Sequence, residues 1–101
     1  MRPDNTIELP EPWHWTDLDL TDQLKKEIRI DHILYNKSVK TIARRQDNDD
    51  VLFELADNKF AVVHLTWQQS TSTHKDFPST IIYNNWQEVF DRIIVDKADF
   101  E

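Results

Sequence analysis

The chain contains no glycine, no cysteine and a single methionine in 101 residues. Without glycine, phosphate-cradling loops that need a bare backbone are excluded, the P-loop and dinucleotide-binding types among them. Turns must instead be built by residues whose short polar side chains bond to nearby backbone and tolerate left-handed geometry. Asn and Asp stand where such turns are needed, at Asp47-Asn48-Asp49, Asp57-Asn58 and Asn84-Asn85. Without cysteine, disulfide scaffolds, thiolate metal sites and thiol redox chemistry are excluded, and a cytoplasmic setting is the expectation. Long apolar runs are missing as well. The longest, such as Phe60 to Val63, are far too short to cross a bilayer. Met1 to Asn5 carry no apolar stretch of the export-signal kind, so the sequence reads as that of a soluble, unexported protein with no membrane partner.

Basic charge is also scarce: 12 Lys and Arg face 19 Asp and Glu, for a formal net charge of -7. Such a field repels phosphate backbones, and the one basic cluster, Lys37, Lys40, Arg44 and Arg45, is too small to outweigh it. Nucleic acid is therefore not expected as a ligand. An acidic domain favours a basic partner through faster, salt-sensitive encounter. The length suits one domain, with residues 1–15 as an N-terminal arm and 16–101 as the core.

The most informative stretch runs from Asp49 to Trp67. Two segments rich in β-branched and aromatic residues, Val51 to Leu55 and Phe60 to Trp67, flank Asp57-Asn58 and predict a hairpin with a two-residue turn. That turn would set Leu55 opposite Phe60, Phe53 opposite Val62 and Val51 opposite His64. Both faces of such a sheet are apolar, so both must be covered, or one must meet another chain. Ser38 to Arg45 alternates Val39, Thr41 and Ala43 with Lys40, Ile42 and Arg44, and Thr80 to Tyr83 adds a fourth short strand. Leu20, Leu24 and Ile28 form one stripe of a helix over about Leu18 to Ile30, with Thr16 or Thr21 as its cap. Trp86, Val89, Phe90, Ile93 and Ile94 follow the pattern of an amphipathic helix, opened by a capping box of Asn85 and Glu88. Trp13 and Trp15 should pin the arm to the domain, while Gln68 to Pro78 is a long polar link. The fold class is α+β: an antiparallel meander of about four strands with an N-terminal and a C-terminal helix.

Reactive constellations are sparse. His64 lies on a strand with Asp49 diagonally across and Thr66 two residues on, the residue types of a base, an orienter and a nucleophile. A hydrogen-bonded imidazole in a sheet is the simpler account of the same residues. His14, His32, His64 and His74 have no spacing that brings two imidazoles to one ion, and Asp47 to Asp50 lacks the glycine and downstream glutamate of a calcium loop. Neither a metal nor a cofactor is expected.

In Ile42-Ala43-Arg44-Arg45, Asp49 to Phe53, Ala61 to Trp67 and the following Pro78, Thr80 and Trp86-Gln87-Glu88, the chain resembles a family of small uncharacterised bacterial proteins. Val63-His64-Leu65-Thr66-Trp67 is the most distinctive part. Gln68, Gln69 and Ser70 stand where family members place a Ser-Gly step and an acidic residue. The resemblance implies no activity and no catalytic residue. Small acidic proteins of this kind also resemble the immunity proteins encoded beside bacterial toxins. The expected function is thus a non-enzymatic binding domain that blocks a basic protein surface with Asp47, Asp49, Asp50, Glu54 and Asp57, with His74 and Lys75 as secondary contacts. The alternatives are a metal- or histidine-dependent hydrolase using His64 and Asp49, or a structural homodimer subunit.

Overall fold

The computed structural model describes residues 9–28, 32–65 and 79–100, apart from the side chains of Asp57 and Phe100. Five strands form one antiparallel sheet in sequence order: β1 (Trp13–Trp15), β2 (Val39–Arg45), β3 (Asp50–Leu55), β4 (Phe60–His64) and β5 (Thr80–Tyr83). Two helices complete the α+β fold, α1 (Thr21–Glu27) and α2 (Trp86–Phe100). Thr66, Trp67, His74 and Lys75, and the 68–78 link to which the last two belong, lie outside the described residues.

The fifth strand is β1, which sequence reading assigned to an arm. Trp13 and Trp15 pair with Arg45 and Ala43, and the Trp13 side chain is buried, so the tryptophans hold the segment as an edge strand. Helix α1 begins later than its apolar stripe suggested. The carboxylate of Asp19 accepts hydrogen bonds from the Thr21 N–H (3.0 Å) and hydroxyl (2.6 Å), which shapes the turn before the helix, and Leu20 stands at its N-cap. Ile28 is extended and ends it. The capping box of α2 forms with a shift: Asn85 Oδ1 accepts the Glu88 N–H (3.0 Å), while Glu88 Oε1 reaches back to the N–H of Asn84 (2.9 Å).

The largest departure lies in the hairpin. Its loop holds three residues, Ala56 to Asn58, closed by a hydrogen bond from the Leu55 N–H to the Lys59 carbonyl (2.8 Å). A two-residue type I′ turn needs positive φ at both positions, whereas a three-residue loop needs one left-handed residue. Asn58, at φ 61°, supplies it alone. Every cross-strand pair therefore slides by one, so that Asp50 and not Val51 faces His64, with Val51 opposite Val63 and Phe53 opposite Ala61. A second irregularity sits in β2, where Thr41 pairs with Phe53 and Ala43 with Leu52, leaving Ile42 as an extra residue. The bulge places Ile42 beside Ala43 in one core cluster, where strict alternation would have separated them.

Both sheet faces are covered, the first of the two options left open by the pattern. On one face Leu52, Phe60, Val62, Ile42 and Ala43 pack with Trp13 and with Val89 and Ile93 of α2. On the other, Val51, Phe53, Ala61 and Val63 pack with Leu20 and Leu24 and with Leu34 of the 32–36 turn. His32 is buried beside that turn; its Nδ1 accepts the Leu34 N–H (3.0 Å), and its Nε2 lies 3.2 Å from the Thr80 hydroxyl.

The left-handed position makes the hairpin loop testable. Asn58→Gly should leave urea stability close to that of the parent, whereas Asn58→Val should lower it by about 1–2 kcal/mol because a β-branched residue resists positive φ. Equal stability of the valine variant would rule out the three-residue loop.

Candidate functional site

The sheet end that carries β2's last residue and β3's first gathers a network of paired charges among the described residues. The 46–49 turn brings Arg45 and Asp50 together, with Asn48 Oδ1 accepting the Asp50 N–H (2.8 Å). Strand alternation puts Asp50 on the α2 face with Leu52, its neighbour two residues along. From α2, Arg92 and Asp96 project at i,i+4 spacing toward the same end.

Asp96 is 6% exposed and serves as the hub. Its Oδ2 accepts the indole N–H of Trp13 at 2.7 Å and the Arg92 Nε–H at 3.1 Å, and its Oδ1 lies 3.3 Å from Arg45 Nη1. Arg45 forks onto Asp47 through Nε (2.8 Å) and Nη2 (2.7 Å), a bidentate arrangement that fixes both groups. Arg92 also donates through Nη1 to the Tyr83 hydroxyl (3.0 Å) and through Nη2 to Asp50 Oδ2 (3.4 Å). Asp50, 7% exposed, completes the chain by holding His64 Nδ1 at 2.7 Å. The path runs unbroken from Asp47 through Arg45, Asp96, Arg92 and Asp50 to His64.

Electrostatics follow from these contacts. The hydrogen bonds to Asp47 raise Arg45 above its ordinary value against a desolvation cost, with Asp96 adding to the effect. Burial opposes the charge on Arg92, but the Tyr83 hydrogen bond and the charge of Asp96 outweigh it and the guanidinium is raised overall. The Arg45 fork lowers the Asp47 carboxyl, and the two hydrogen bonds from Thr21 lower Asp19. Among the described residues no group of three or more His, Asp or Glu side chains converges as a metal site would require.

The structure sorts the sequence-derived site residues into different environments. Asp50 is buried in the network and Asp47 is chelated by Arg45, so neither presents a free carboxylate. Asp49 is half-buried and Glu54 half-buried on β3. Asp57 lies in the hairpin loop. The imidazole partner is Asp50 and not the Asp49 expected, a direct result of the one-residue slide in register. A carboxylate accepts, so Nδ1 of His64 donates; the side chain is 52% exposed. This is the geometry of an oriented base, yet three surface clefts of about 480 to 520 Å³ are all lined by other residues.

Trp13, Arg45, Tyr83, Arg92 and Asp96 were not singled out as site residues from the sequence. One signal was present: Asp96 falls seven residues after Val89 and three after Ile93, which places a carboxylate on the buried stripe of α2. A buried carboxylate requires partners, and Arg92 stands one turn before it.

No family model, curated protein or solved structure matches the chain.

Two outcomes test the network. Asp96→Ala leaves the buried Trp13 indole N–H without its acceptor and takes one carboxylate from each of two guanidiniums, which keep Asp47, Asp50 and Tyr83, and should lower unfolding free energy by about 1–3 kcal/mol in denaturant titrations. Parent-like stability would show that the guanidiniums do not depend on Asp96. The lowered carboxyls set the acid limb: stability from Asp47 and Asp19 is fully present above their ordinary value of 3.8 and is lost as pH falls through their lower folded-state values. Asp47→Asn should therefore flatten the fall in stability measured from pH 5 to pH 2, and an unchanged slope would contradict the pairing.

Proposed function

We propose that this chain is a non-enzymatic protein-binding domain, an immunity-type inhibitor that meets a basic surface on a bacterial toxin. The observation that supports the reading is the inward use of the guanidiniums. The network combines Asp47, Asp50 and Asp96 with Arg45 and Arg92, so it carries only -1 of the chain's -7 when His64 is neutral. The remaining -6 belongs to other side chains, and two of the molecule's arginines are unavailable to offset it outside.

The acidic surface on this reading differs from the one the sequence suggested. Asp50 supports the scaffold, Asp49 and Glu54 remain as contacts along the hairpin, and Asp17, Asp19 and Asp22 add exposed carboxylates beside α1. The exposed groups Asp17, Asp19 and Asp22 act chiefly on encounter, since an exposed carboxylate is screened.

A second reading has one observation in its favour. The Asp50–His64 pair at 2.7 Å is an oriented, half-exposed imidazole of the kind a histidine-dependent hydrolase would need. Thr66, its expected nucleophile, lies outside the described residues.

Co-expression with the product of the neighbouring gene separates the two. On the inhibitor reading the chain restores growth to cells poisoned by that product, and the His64→Gln variant still does so. Reversal of Asp49 and Glu54 to lysine should slow association by roughly tenfold at low salt, with a smaller effect on dissociation. Rescue that depends on His64, or association rates indifferent to both reversals, would discard the acidic-surface mechanism.

A further inference from the structure

A cleft of about 520 Å³ opens where the 33–38 turn approaches the hairpin loop and β5. Ile33, Leu34, Leu55 and Ile82 form its apolar walls, and the charged groups lining it are Lys37 and Lys59. Its two lips are built alike. In each, an asparagine in the left-handed region, Asn36 at φ 60° or Asn58 at φ 61°, is followed directly by the lysine. The lysine N–H then closes the turn on the carbonyl three residues back, Lys37 to Leu34 at 3.2 Å and Lys59 to Ala56 at 3.4 Å. Two fixed turns thus set two lysines on the lining of one apolar cleft.

Both lysines are exposed, and neither has a carboxylate partner among the described residues. Ile33, at 58% exposure, is among the most exposed large apolar residues of the described surface. A local excess of positive charge over exposed apolar surface is unusual in a chain of net charge -7 and identifies a ligand by complementarity. We propose that this cleft binds a small amphipathic carboxylate, its apolar body on Ile33, Leu34, Leu55 and Ile82 and its carboxylate between Lys37 and Lys59. A cation is repelled at the lips, a bare phosphate leaves the apolar walls wet, and a neutral alkane leaves the ammonium groups without a counter-charge. The volume falls in the range of roughly 300–1,000 Å³ that small-molecule sites occupy. The site adjoins the hairpin that carries Glu54, but none of its lining residues is a proposed inhibitor contact, and it holds whether or not that reading does.

Titration of the full-length ¹⁵N-labelled chain with sodium decanoate tests it, with 1-decanol and decyltrimethylammonium as probes of the head group. Decanoate should give saturable shifts at the amides of Leu34, Lys37, Leu55, Lys59 and Ile82. Decanol should bind more weakly and the ammonium not at all. The double variant K37A/K59A should weaken decanoate roughly fivefold or more, and K37R/K59R should retain it, the arginine pair also serving as a check that the turns still fold. Shifts scattered over the sheet without saturation, or equal affinity for decanoate and decanol, would overturn the proposal. Tighter binding here of the peptide acetyl-Asp-Phe-Glu-amide than of decanoate would overturn it in favour of an acidic protein segment.

Discussion

A single carboxylate, Asp96, decides how the two layers of this domain meet on one side of the sheet. It lies on the apolar stripe of α2, where an unpaired charge would be very costly, and three donors from β1, β2 and its own helix converge on it. The indole N–H of Trp13 fixes the edge strand, Arg45 fixes the end of β2, and Arg92 carries the connection on to Asp50 and Tyr83. Apolar packing of Val89 and Ile93 supplies attraction between helix and sheet but tolerates sliding and rotation. Short directional bonds to two guanidiniums and an indole do not. The network's contribution is better described as orientation than as net stability, because desolvation of buried ion pairs offsets much of their mutual attraction.

That constraint also explains what sequence reading reached and what it missed. The apolar periodicity of α2 and the strand signals of β3 and β5 are local and survive, and that of β2 survives apart from the bulge at Ile42. The strand at Trp13–Trp15 is three residues long and pairs across a separation of about thirty residues, so no local pattern announces it. The hairpin register failed for a narrower reason. Asp57-Asn58 fits either a two-residue loop or the end of a three-residue loop, and composition does not say how many of the two take positive φ. One residue of slip then exchanged Asp49 for Asp50 as the partner of His64. The site residues inherited the error of the loop, since a β pairing has period two and every side chain changes face with a shift of one.

The acidic composition gains a different meaning once the buried ions are assigned. Of the three network carboxylates, Asp50 and Asp96 are nearly inaccessible while Asp47 is not, and Glu27 of α1 is a further buried carboxylate. Net charge alone does not distinguish a carboxylate that shapes the field outside from one that neutralises an arginine within. Asp47 and Asp50 sit three residues apart in the same acidic run and divide along that line from each other: the first is exposed on its fork with Arg45, the second is enclosed between Arg92 and His64.

The absence of glycine ties these features together. Among the described residues the chain enters the left-handed region with asparagine, at Asn36 and Asn58, and each of these positions is followed by lysine. Glycine would have made the same turns at lower steric cost but with a more mobile backbone in the unfolded state and a less restricted one in the fold. Asparagine narrows the choice of conformations, so the lysines that follow are held on defined lips instead of on pliable ones. The same economy acts on the opposite sheet face, where the helix-borne Asp96 fixes aromatic and basic groups from two strands and the helix itself. A small domain without disulfide or glycine thereby obtains two unlike surfaces from one sheet: on one side its guanidiniums are drawn inward against carboxylates, and on the other two exposed lysines flank partly exposed apolar residues.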